Sequence, residues 1–203
     1  LAKETLFNTE LTEYADSYDG RNKEPVVLPC KLPLSLLFGA EGIAVGMSTR
    51  ILPHNINEII DAQIAFLQNK SFKLLPDFLS GGTLDAGEYE DGNGKVRVRA
   101  KIEITDDKLL TVRELPFGVT TESLIQSIQD AVNKGKFKLS SIDNFTAETV
   151  EIELKAARGM DAEKLFKLLY AFTQCEVSIS VNMLLIQDNQ PVQLNASDVL
   201  KRN

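Results

Sequence analysis

Lys95, Arg97, Arg99 and Lys101 occupy alternate positions along one short stretch, with Val96, Val98, Ala100 and Ile102 between them. That alternation predicts a half-buried strand with one apolar face and one cationic face. Residues two apart on a strand lie about 6.8 Å from each other on the same face. Successive phosphates along one DNA strand have a similar separation, so four cations in this row could follow a nucleic-acid backbone and release its counterions. Taken alone, the row reads first as the solvated face of an edge strand, where Lys and Arg discourage edge-to-edge pairing. Arg113, on the expected return strand, joins the patch only if the register brings it there.

Gly39, Gly42 and Gly46 surround the apolar run Ile43-Ala44-Val45. Their spacing fits neither the dinucleotide fingerprint nor the P-loop, which needs Gly-Lys-Ser/Thr opening a helix. Physical reading alone favours tight turns around a buried strand, with Ile43 and Val45 in the core. An apolar side chain flanked by glycines can also stand out as a wedge, and the residues do not choose between the two. His54, the chain's single histidine, follows Pro53 and precedes a helix start. It is expected to orient a turn by hydrogen bonds, since no serine or cysteine nucleophile constellation surrounds it. Asp85, Glu88, Glu90 and Asp91 read as solvated loop carboxylates rather than metal ligands. Cys30 and Cys175 make no close-spaced ligand motif.

The elements that position these residues alternate irregularly between periods. Leu6/Phe7, Leu11, Tyr14/Ala15 and Tyr18 recur at helical spacing and predict an opening helix closed by Asp19-Gly20. Prolines 25, 29 and 33 make the next stretch extended, with a short helix over 33–38. Asn55 caps a helix carrying Ile56, Ile59/Ile60, Ile64 and Leu67, with Glu58 placed for a capping box. The cationic strand turns at 106–108 into a return strand over 109–115. A helix follows over 122–133, capped by Thr120 or Thr121 and stopped near Gly135. A strand over 150–154, a helix over 161–173 and a strand through Val177, Ile179 and Val181 come next. Residues 183–186 extend that strand or pair with it past Asp188-Asn189, and a last helix begins near Ser197-Asp198. The fold class is α+β, with a mixed or antiparallel sheet and packed helices.

Composition narrows the function classes. The 203 residues are 43% hydrophobic and 25% charged, as in a globular chain with a sizeable core rather than a disordered one. Their longest apolar stretches fall far short of the roughly 20 residues a bilayer demands. Net charge is −7, so any nucleic-acid contact must come from a local patch. The chain opens on Leu1 and closes in a helical pattern, which reads as a piece of a longer protein.

Lys31-Leu32-Pro33, then 42–49 (Gly-Ile-Ala-Val-Gly-Met-Ser-Thr), then Pro53-His54-Asn55, resemble the A subunit of bacterial type IIA DNA topoisomerases, gyrase A and the equivalent topoisomerase IV chain. Tyr18-Asp19-Gly20, Pro76-Asp77-Phe78, Gly94-Lys95-Val96, Glu114-Leu115-Pro116-Phe117, Thr173-Gln174 and Asn182-Met183 extend the resemblance in order along nearly the whole chain. It implies residues 1–20 as the end of a helix from the DNA-gate domain, 21–190 as the tower or shoulder domain, and 191–203 as the start of the coiled-coil helix. The implied function is binding and bending of double-stranded DNA, within an enzyme that uses ATP to pass one duplex through a transient double-strand break in another. Ile43, beside Gly42, is implied as the side chain that enters the base stack, with Lys31 and the row Lys95, Arg97, Arg99 and Lys101 on the backbone.

Tyr14 and Tyr18 do not match the family's nucleophile, which belongs to an Arg-Tyr-Thr motif absent here, so the chain alone is expected to be inactive. No cofactor is expected on it: ATP and Mg²⁺ belong to the partner B subunit of an A2B2 complex. A-subunit dimerisation lies in other regions, and the location is the bacterial cytoplasm and nucleoid. Phe38, Ala40 and Glu41 depart from the small polar residues usual before the wedge. The rivals are a non-catalytic structural α+β module and an enzyme that holds a phosphorylated small molecule in the glycine loop.

Overall fold

The computed structural model describes residues 2–203, which form two compact units, each with its own core. The first comprises the chain up to Pro76 together with Asn182–Asn203, and the second is Asp77–Val181. The division falls inside the stretch 21–190, which the resemblance implies as one domain.

The opening segment differs from the expected helix. Helix α1 covers only Ala2–Thr5, and β1 (Tyr14–Asp16) pairs antiparallel with β2 (Lys23–Pro25). Apolar residues at helical spacing stabilise a helix only when a surface covers them. Here Phe7, Leu11 and Tyr18 are exposed, and local polar chemistry prevails. The Asp19 carboxylate accepts from the Ser17 hydroxyl at 2.7 Å and the Arg21 amide at 3.1 Å, which turns the chain where the helix was expected to run.

Helix α2 (Leu34–Phe38) and the hairpin of β3 (Ala40–Ala44) and β4 (Met47–Ile51) follow. Helix α3 (Ile56–Leu67) is capped by Asn55, whose side chain accepts from the Asn57 amide at 2.9 Å. That cap serves the Asn57 amide, one residue before the Glu58 position that a capping box uses. Leu36, Ile51, Ile59, Ala62 and Leu74 form the first unit's core, which residues at the far end of the chain complete.

In the second unit β5 (Thr83–Asp85) leads through a 3₁₀ turn at Glu90–Gly92 to β6 (Lys95–Arg99). Then come β7 (Lys101–Asp106) and β8 (Leu109–Glu114), joined by the expected hairpin. Helix α4 (Thr121–Asn133) starts in a capping box between Thr120 and Ser123. Strands β9 (Leu139–Asn144) and β10 (Ile152–Ala156), helix α5 (Ala162–Phe172) and strand β11 (Glu176–Ser180) complete the unit. One sheet has the order β7-β8-β10-β9 and a second the order β11-β6-β5, all antiparallel. Leu124 and Ile128 of α4 and Leu165 and Leu169 of α5 bury against Leu110, Val112, Ile152 and Leu154. Each such side chain contributes about 1.5–3 kcal/mol on leaving water.

The chain returns to the first unit with the hairpin of β12 (Leu184–Gln187) and β13 (Gln190–Gln193), which turns at Asp188-Asn189. Residues 184–187 take β13 as their partner, where the sequence pattern predicts that they extend the preceding strand or pair with it. Helix α6 (Ala196–Arg202) is capped by Asn195, and Met183, Ala196 and Leu200 join the first core. The architecture is α+β, and among the described residues no helix is long and apolar enough to cross a membrane.

Candidate nucleic-acid interface

The hairpin β3–β4 pairs Ala40 with Ile51, Glu41 with Arg50, Gly42 with Thr49, Ile43 with Ser48 and Ala44 with Met47. Val45-Gly46 makes the two-residue turn, and Gly46 supplies the positive φ of 76°. Ile43 is 89% exposed and Val45 100% exposed. The expectation of a buried strand with Ile43 and Val45 in the core is therefore wrong. Among the described residues of its unit, no third strand or helix covers the hairpin's tip, and both side chains meet water.

At its base the hairpin is held tightly. Arg50 and Asn182 exchange backbone hydrogen bonds of 2.8 and 3.0 Å, and the Asn182 side-chain amide donates to the Ser48 carbonyl at 2.7 Å. A Cβ on Gly39 would stand 2.6 Å from the Ile51 carbonyl oxygen. One on Gly42 would meet only the Thr49 methyl at 3.7 Å, so nothing in the backbone requires glycine at 42. The anchoring by Asn182 carries no local sequence signal, because its contacts lie more than 130 residues away in the chain. Lys31, in the same unit, is exposed: its amide donates to the Thr5 carbonyl and its own carbonyl accepts from the Asn203 side chain.

The cationic row is divided. Lys95, Arg97 and Arg99 share the outer face of β6, whose inner residues Val96 and Val98 are buried. At Ala100 the chain changes sheets. Its amide donates to the Cys175 carbonyl at 2.8 Å and its carbonyl accepts from the Tyr170 hydroxyl at 2.8 Å, so Lys101 begins β7 in the neighbouring sheet. Arg113 lies on β8 between Glu103 and Glu151, at 3.1 and 2.8 Å, and does not join the β6 face.

Carboxylates meet three of the four cations. Arg97 pairs with Asp85 at 2.7 Å, Arg99 with Glu176, and Lys101 with Glu114 at 3.2 Å. The Gly87 amide, and then Arg97, hold the Asp85 carboxyl below the usual carboxylate range. Glu114 is lowered first by the Gly82 amide at 2.6 Å and then by Lys101. The Arg99 guanidinium lies 5.5 Å from the centre of the Tyr170 ring. Among the described residues Lys95 makes no ion pair.

The other candidates are structural. His54 is buried, and its Nδ1 stands 3.0 Å from the Leu36 carbonyl, which only accepts, so Nδ1 carries the proton. The turn-orienting role expected from sequence is the one observed. Burial pushes the Cys175 thiol up to about 11, far from a reactive thiolate.

With an α+β fold and this geometry, the comparison with known proteins is direct. The chain belongs to the A-subunit family of DNA gyrase and topoisomerase IV, whose model matches residues 1–203. It is 52% identical over 201 residues to the A subunit of DNA topoisomerase 4 from Borreliella burgdorferi, an alignment covering 99% of this chain and 32% of that relative. Similarity to the A subunit of DNA gyrase is 32% identity over 222 residues for Leptospira biflexa and 34% over 221 for Lawsonia intracellularis. Those alignments cover 99% and 98% of this chain, and 26% and 27% of the relatives. The chain thus spans a third or less of the length of these curated relatives.

Proposed function

We propose that this chain is the DNA-binding and DNA-bending segment of an ATP-dependent type II DNA topoisomerase, which passes one duplex through a transient double-strand break in another. The observation that carries the reading is the exposure of Ile43 at the tip of a hairpin whose base is fixed. An isoleucine left in water by its own fold, on a two-stranded arm, suits insertion between base pairs. Partial unstacking costs a few kcal/mol and is offset by contacts that only bent DNA makes. Lys31 and the β6 cations then act on the backbone, largely without regard to sequence.

Strand cleavage in this reading belongs to a tyrosine other than the four here. Tyr89 is buried, and the Tyr170 hydroxyl is spent on the Ala100 carbonyl with its ionisation pushed up to about 12. Tyr14 opens β1, Tyr18 lies in the β1–β2 turn, and neither matches a nucleophile motif. ATP and Mg²⁺ act on the B subunit of an A2B2 assembly in the bacterial cytoplasm and nucleoid, and A-subunit pairing uses surfaces elsewhere.

The test is end-to-end FRET on a duplex of roughly 30 base pairs, with the full-length A subunit, its B partner and Mg²⁺. Ile43→Ala should bind but bend much less. Equal bending by both proteins would move the bending role away from Ile43. A structural module without DNA contact is the second reading, favoured by the ion pairing of Arg97, Arg99 and Lys101. Salt-independent or absent duplex binding would support it.

A further inference from the structure

Cross-strand register sets out the β11-β6-β5 face as three short rows. Glu176, Arg99 and Thr83 form one row, Ser178, Arg97 and Asp85 the next, and Ser180 beside Lys95 the last. Directly opposed residues on neighbouring strands point to the same face, so the three cations run down the middle with hydroxyls and carboxylates on either side. The carboxylates are not spread evenly. Arg97 and Arg99 each hold one, while Lys95 lies at the end where its strand partner is a serine.

Resting on the reading that this face meets DNA, we propose that Asp85 and Glu176 are built-in phosphate surrogates. They occupy Arg97 and Arg99 until a backbone phosphate displaces them, so a duplex engages the face first at Lys95. A carboxylate and a phosphate ester oxygen present the same negative, hydrogen-bond-accepting edge to a guanidinium. The Arg97–Asp85 pair, with both side chains about half exposed, contributes little to folding, so a phosphate can replace it without destabilising the sheet. Glu176 is more buried beside Arg99, so that pair yields less readily. The displaced carboxylates stay beside the phosphates and repel them. Affinity is therefore held down, and fewer counterions are released than three free cations would release. In a chain of net charge −7 this makes the face a weak, readily reversed contact, suited to a duplex that must be bound and let go.

The experiment measures duplex affinity against salt in the full-length A subunit. Asp85→Asn with Glu176→Gln should tighten binding about tenfold and steepen the slope of log K against log salt by about two. A control pair, Glu148→Gln with Glu163→Gln, removes the same charge from exposed positions that make no ion pair among the described residues. It should change binding less than twofold. With the native carboxylates present, Lys95→Gln should weaken binding more than Arg97→Gln or Arg99→Gln. In the Asp85→Asn, Glu176→Gln background the three should be equivalent.

If the carboxylate pair behaves like its control, or the three cations are equivalent from the start, the surrogate role is wrong while the face remains a DNA contact. If neutralising Lys95, Arg97 and Arg99 together changes neither affinity nor slope, the underlying reading fails as well. Unchanged melting temperatures confirm that each variant is folded.

Discussion

Glu41 on β3 and Arg50 on β4 face each other across the hairpin, with a guanidinium nitrogen 2.7 Å from a carboxylate oxygen. Both side chains are about half exposed or more, so the pair is worth under about 1 kcal/mol and matters for charge more than for folding. The carboxylate of Glu41, which departs from the small polar residues usual at this place in the motif, is directed at its own strand partner.

Glu41→Gln releases Arg50. We expect the melting temperature to move by no more than about 2 °C. Duplex affinity should rise severalfold, with the salt slope steeper by about one. Filter binding across a salt series reads both. An unchanged slope would mean that the hairpin's base never meets a phosphate.

Gly39 and Gly42 are three residues apart yet differ in what they tolerate. At Gly39 the backbone has a φ of 71° and a Cβ would strike the Ile51 carbonyl, so Gly39→Ala should cost about 2–3 kcal/mol. Gly42→Ala meets only an ordinary contact and should leave stability within about 0.5 kcal/mol. Urea unfolding of both variants tests the difference, and equal stabilities would contradict the hairpin's seating.

Glu114 ties stability to pH. Its carboxyl titrates below the ordinary value of 4.5, because the Gly82 amide and Lys101 favour the charged form. Its contribution is complete above pH 4.5 and is lost as pH falls through the lower folded value. Glu114→Gln should therefore be less stable than the native chain at neutral pH, with the gap closing in acid. Urea midpoints from neutral pH down to about pH 3 measure this. A gap independent of pH would assign the residue a packing role alone.

The two thiols should separate cleanly under a thiol-reactive dye. Cys30 is half-buried and Cys175 fully buried with a raised pKa, so the native protein should label at one site quickly. The second thiol should react only on unfolding. Rapid labelling of both would show that the Cys175 core opens readily.

Several elements are legible in the amino-acid sequence because their signals are local. The helix at 122–133 carries its cap at Thr120 and its stop at Gly135. The turn at 106–108 depends on neighbouring residues too, and both are observed. The opening segment misleads because helical spacing of Leu6, Leu11 and Tyr18 states a periodicity and not a covering surface. In the fold Leu11 and Tyr18 stay in water, and the Ser17–Arg21 turn prevails.

The candidate site divides in the same way. Which residues carry charge, which are apolar and where glycine permits a turn are covalent facts, and alternation placed Lys95, Arg97 and Arg99 on one face by itself. Family membership, too, is written in the order of short motifs along the chain. Tertiary structure alone decided that Ile43 and Val45 stand in water, because burial depends on whether distant chain returns to cover a strand. It likewise decided that Ala100 hands the strand from β11 to β8, parting Lys101 from the row. The pairing of Arg97 with Asp85 and Arg99 with Glu176 was settled there as well. Electrostatic partners up to 77 residues apart meet only through strand register, which no local pattern encodes.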